Sequence, residues 1–86
     1  MTESLIEFPT EFPIKVMGRA IDGFAQLVLE IVRRHAPDYD GSTMEFRPSS
    51  TNKYLSLTCT INARSKDQLD GLYRELSGHP DVTMVL

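Results

Sequence analysis

The chain has 86 residues, 41% hydrophobic and 24% charged, a balance that suits one small folded domain and excludes wholesale disorder. Its formal charge of −3 repels nucleic-acid phosphates, and only Arg33 and Arg34 are adjacent cations, so no basic stripe offsets the mean field. No apolar run approaches the roughly 18 residues of a membrane span, and Met1-Thr2-Glu3-Ser4 lacks the basic start of a signal peptide.

Residues 1–11 read as a leader closed by Pro9, whose Leu5, Ile6 and Phe8 are apolar enough to dock on the domain that occupies residues 12–86. From Phe12, Ile14 and Val16 alternate with Lys15 and Met17, the period of a half-buried strand, until Gly18 interrupts it. Asp22 is the expected N-cap of a helix carrying Phe24, Leu27, Val28 and Ile31 on one stripe, widened by Ala25 and Val32. Arg33, Arg34 and His35 suit its negative end, and Pro37 stops it. After the turn-rich DYDGS, Met44 and Phe46 alternate with Glu45 and Arg47 in a second strand whose Pro48 fits a sheet edge.

A polar turn over Ser49 to Lys53 leads to the clearest strand, in which Leu55, Leu57, Cys59 and Ile61 alternate with Ser56, Thr58, Thr60 and Asn62. Ser65 and Gln68 form a capping box for a second helix with Leu69, Leu72, Tyr73 and Leu76 on its apolar side. Gly78 is expected to end it with a left-handed turn, and Pro80 prevents continuation. Val82, Met84 and Leu86 then alternate with Thr83 and Val85 in a fourth strand, Val82 and Met84 facing inward.

Strand, helix, strand, strand, helix, strand is the α+β ferredoxin-like (split βαβ) order. Right-handed crossovers place both helices on one face of a four-stranded antiparallel sheet, with strands one and three central. The expected core takes the inward residues named above, including Leu27, Met44, Phe46, Leu55 and Met84. The uncovered face then carries Met17, Thr58, Thr60 and Val85 among charged neighbours. RNA-binding domains of this shape stack bases on aromatic residues of the central strands; here short hydroxyls and a methionine stand there, so no nucleic-acid partner is expected. Met17 and Val85 beside Thr58 and Thr60 are instead the candidate interface for a protein partner or for weak self-association, with strand four as a pairing edge.

Catalytic chemistry finds little support. One cysteine and two separated histidines make no zinc pattern, and Cys59, mid-strand and inward, reads as a small apolar residue. Its solitude forbids an internal disulfide and suits a reducing cytosol, the expected location. Asp38, Asp40 and Gly41 begin like a calcium loop but lack the later ligands. Gly18, Arg19 and Asp22 form the candidate ligand-binding loop, because glycine admits close backbone approach. Asp22 weakens an anion site there, and Asn62 is poorly placed to join Arg19 in acyl phosphate hydrolysis. No catalytic residue, metal or cofactor is expected.

Several blocks together, EFPTEFPIKVMG, RRHAP, SSTNKYLSLTCTINA, LYREL and HPDVTMVL, resemble the YbeD-like family of small bacterial proteins, in matching order over nearly the whole chain. The resemblance implies a ferredoxin-like fold similar to ACT regulatory domains and, through the lipoate-regulatory label of some members, an association with lipoate metabolism. The expectation is therefore a non-enzymatic regulatory or adaptor module acting by protein binding. The alternative is an ACT-like sensor of an amino acid or related small molecule.

Overall fold

The computed structural model describes residues 7–86. The elements are β1 (Thr10–Arg19), α1 (Phe24–His35), β2 (Glu45–Pro48), β3 (Tyr54–Ala63), α2 (Lys66–Ser77) and β4 (Val82–Val85). They form one antiparallel sheet in the order β2-β3-β1-β4, so the expected ferredoxin-like fold is the observed one. No helix among the described residues is long and apolar enough to cross a membrane.

The ladder between β1 and β3 carries the core. Ile14 pairs with Cys59 and Val16 with Leu57, and all four are fully buried. Phe24, Val28, Ile31 and Val32 of α1 and Leu69, Leu72 and Leu76 of α2 close the layer above them. Leu27, Met44 and Leu55 are half-buried and flank this core, as does Phe8. Leu5 and Ile6, also expected to dock, lie outside the described residues. Thr10 and Glu11, expected in the leader, already belong to β1 and pair with Ala63 and Asn62.

Four local expectations are corrected. Gly23, at φ +84°, is the N-cap residue of α1 and offers no side-chain cap, so Asp22 precedes the cap. Gly78 ends α2 in right-handed geometry, its amide donating to Arg74 O, instead of the expected left-handed turn. Phe46 pairs with Leu57 and so points toward the helix side, yet it is 59% exposed because nothing covers that end of the edge strand. In β4 the register shifts between Met17 and Gly18: Val16 opposes Val85, Met17 opposes Met84, but Gly18 opposes Val82. Thr83 is the extra residue, and a single extra residue inverts every side chain beyond it. Val85 consequently packs against the core and Met84 stands 50% exposed, the reverse of the alternation reading.

Ser65 caps α2 as expected, its hydroxyl accepting from Gln68 N–H at 3.1 Å. Gln68 does more than close a box. Its Oε1 accepts from Arg64 N–H at 2.6 Å, and its Nε2 donates to the His35 carbonyl at 2.8 Å, satisfying an orphan acceptor at the end of α1. Beside it Glu75 accepts from Arg34 and meets His35 Nε2 at 2.7 Å. Gly71 makes this possible, since a Cβ there would sit 3.3 Å from the His35 ring.

Tyr39, in the loop after α1, was not foreseen in the core. It is 6% exposed, and its hydroxyl lies near Cys59 and Thr43 without a hydrogen-bond partner. Burial pushes its ionisation upward, and likewise that of the Cys59 thiol.

Four outcomes test this packing and its ion pairing. A Cβ at Gly18 would overlap the Phe24 ring and the Asp81 carbonyl oxygen, so Gly18→Ala lowers urea-measured stability by about 1–3 kcal/mol. Gly23→Ala meets no neighbour, and only its left-handed backbone costs it about 1–2 kcal/mol. Tyr39→Phe removes an unpaired buried hydroxyl and raises stability by about 1 kcal/mol in thermal unfolding; a loss would show that the hydroxyl is bonded. Finally, the Arg34 guanidinium, with His35, holds the Glu75 carboxyl below its ordinary value of 4.5. A depressed folded pKa gives stability above the unfolded value that is lost as pH falls through the folded one. The stability gap between the natural chain and Glu75→Gln therefore narrows on acidification below about pH 4.5, measured by denaturation across pH.

Candidate interaction surface

The sheet face away from the helices is the surface that the fold leaves open. Its rows follow from the register. One runs Glu45, Thr58, Lys15, Leu86, with Lys15 and Leu86 exchanging both backbone hydrogen bonds at 3.1 and 2.8 Å. The next runs Arg47, Ser56, Met17, Met84, and a third sets Tyr54 beside Arg19. Toward the other end stand Thr60 with Pro13 and Asn62 with Glu11.

This face is therefore divided. Its first half holds Met17, Met84, Leu86 and Tyr54, the last three each half exposed or more. A depression of about 280 Å³ opens there, lined by Lys15, Met17, Arg47, Tyr54, Ser56 and Leu86. Neither Lys15 nor Arg47 joins an ion pair among the described residues. A neighbouring dip, lined by Glu45, Ser56 and Thr58, is more polar. The second half is polar and leads to the carboxylates of Glu11, Asp38 and Asp40 around another cleft.

The bulge explains the apolar half. Had β4 kept the phase set by Gly18 and Val82, Thr83 would oppose Met17 and Val85 would oppose Lys15; instead Met84 opposes Met17, and its thioether extends the apolar floor. Thr58 and Thr60 face outward as expected, Thr58 half-buried between Glu45 and Lys15 and Thr60 exposed. Val85, expected on this face, does not contribute its side chain. The residues that sequence reasoning missed are Met84 and Leu86 as neighbours of Met17; alternation places Lys15 and Arg47 on this face, whereas the bulge conceals Met84.

The candidate ligand loop divides as well. Arg19 ends β1 on the open face, whereas Gly18 turns toward the helices, where Phe24 and the Asp81 carbonyl close over it. Asp22 is exposed in the connection to α1. Both histidines are engaged locally, His35 by Glu75 and His79 Nδ1 by the Asp81 amide at 3.1 Å. Cys59 is sealed in the core. No group of three metal-ligating side chains gathers among the described residues. The arrangement can hold an apolar segment and an anion side by side.

Sequence and structure comparisons bear on the family and the fold. The chain is 58% identical over 84 residues to a UPF0250 protein of Nitrosomonas europaea, covering 98% of this chain and 97% of that one. It is 54% identical over 85 residues to a UPF0250 protein of Janthinobacterium sp., covering 99% and 93%. Among solved structures it is similar to the ACT domain from GTP pyrophosphokinase of Chlorobium tepidum, with a TM-score of 0.60 and 17% identity over 90% of this chain and 97% of that one. That likeness establishes the fold and agrees with the expectation of an ACT-like domain. The DUF493 family, described as protein of unknown function, matches residues 3–86, and the chain belongs to it.

Proposed function

We propose that this chain is a non-enzymatic regulatory or adaptor module whose open sheet face binds a protein segment carrying apolar side chains next to carboxylates. The observation that carries the reading is the depression floored by Met17 and Leu86, extended by Met84, and flanked by the unpaired cations Lys15 and Arg47. An exposed apolar patch rimmed by charge is a usual mark of an interaction site. In a chain of net charge −3, the local cations would select an acidic partner and speed its encounter. The single cysteine fits action in a reducing cytosol.

Small-molecule sensing is the second reading, favoured by the size of the depression, which is near the lower end for small-ligand pockets. An amino acid or a lipoate-related compound would then occupy the same floor. The link to lipoate rests on the family resemblance alone.

Affinity capture from cytosol, repeated with the purified partner, distinguishes these uses. Met17→Asp with Met84→Asp, and separately Lys15→Glu with Arg47→Glu, should each weaken partner binding about tenfold or more while leaving the circular dichroism unchanged. Binding indifferent to both pairs of substitutions would remove this face from the interface. A thermal shift with amino acids or lipoate-related compounds, lost in the Met17 and Met84 variant, would favour the second reading. Sedimentation that shows a concentration-dependent dimer lost in the same variant would assign the face to self-association.

A further inference from the structure

The central strands are longer than their neighbours, and this leaves one stretch of sheet edge without a partner. β1 and β3 each have 10 residues, whereas β2 and β4 have 4. Backbone direction follows from the ladder. Because Lys15 exchanges both its bonds with Leu86, it makes none with Thr58 opposite, so Thr58 and the even residues of β3 turn their amides and carbonyls toward β2. β2 reaches only as far as the partner of Thr58. Beyond it, Thr60 and Asn62 point their main-chain groups at empty edge, and no backbone or side-chain partner for them exists among the described residues.

The chain that would have continued β2 turns aside instead. Met44 N–H closes a turn on Gly41 O at 3.1 Å, and Asp40 Oδ1 accepts from Ser42 N–H at 2.9 Å. Between this loop and the bare edge lies a cleft of about 340 Å³, lined by Glu11, Asp38, Asp40, Thr43, Thr60 and Asn62 among others. Asp38 is paired with Arg64, but Glu11 and Asp40 have no cation partner among the described residues. The corresponding stretch of β1 is closed to pairing because Pro13 carries no N–H.

The geometry points to this notch as a strand-addition site: a short extended segment of a partner, bearing basic side chains, lies along Thr60–Asn62 in line with β2. Its main-chain groups pair with those of Thr60 and Asn62, which lie roughly 6.6–6.8 Å apart along the strand at the usual rise. Its Lys or Arg side chains face Glu11 and Asp40. The notch is separate from the apolar depression, so either site can fail without the other.

Amide hydrogen exchange on the full chain tests this. In the free protein, Leu57, Cys59 and Ile61, whose amides face β1, exchange slowly, while Thr60 and Asn62 exchange fast. The probe is an acetylated and amidated Lys-Val-Lys-Val-Lys peptide. At tenfold excess over its Kd it should slow exchange at Thr60 and Asn62 about tenfold. A peptide N-methylated at alternate residues, a Glu-Val-Glu-Val-Glu peptide, and Glu11→Lys should each reduce that protection. Slow exchange at Thr60 and Asn62 without peptide, no protection with it, or equal binding of the N-methylated or acidic peptide would overturn the site.

Discussion

The seating of Phe24 against the bare Cα of Gly18 is the contact on which the remaining architecture depends. Gly18 lies in a central strand, Phe24 begins α1, and the Asp81 carbonyl that approaches the same point belongs to the connection between α2 and β4. One missing side chain thus lets three segments meet. It also sits where the β1–β4 register shifts. The close approach and the bulge are parts of the same local geometry, and bulges commonly reorient side chains in this way. Downstream of it, Val85 goes to the core and Met84 to the open face. A packing requirement on the helix side thereby determines the chemistry of the opposite side.

Alternation made the central sheet legible because β1 and β3 are long and two-faced: Ile14, Val16, Leu57, Cys59 and Ile61 all lie buried where period two places them. Helical stripes located α1 and α2 for the same reason. The failures have physical causes. β4 is four residues of mostly apolar type, so neither face contrasts with the other and one extra residue inverts the assignment. At Phe46, alternation states which side a residue faces but cannot state whether a helix reaches over it. Tyr39 enters the core from a turn, where no periodicity operates. The open face was legible as a place, through Met17, Thr58 and Thr60; its apolar floor, completed by Met84 and Leu86, depended on a bulge that no composition reveals.

Charge is distributed across that face with more structure than a net value suggests. Lys15, Arg19 and Arg47 occupy the end nearest the β3 start, while Glu11, Asp38 and Asp40 surround the opposite cleft. At physiological salt the Debye length is about 8 Å, so each end presents its own local potential. The mean charge then predicts poorly what either end attracts. The three cations flank methionine and leucine, with Tyr54 as the aromatic side chain among them.

On the helix side, polar groups between α1 and α2 hold the two helices together: Gln68 spans from the Arg64 amide to the His35 carbonyl, and Glu75 joins Arg34 to His35 across the gap that Gly71 narrows. Removing one partner of such a cluster leaves the others unsatisfied. His35 lies between the two helices, its Nε2 engaged by Glu75 and its ring close to Gly71. The imidazole is a tie between helices, in the layer that backs the open face of the sheet.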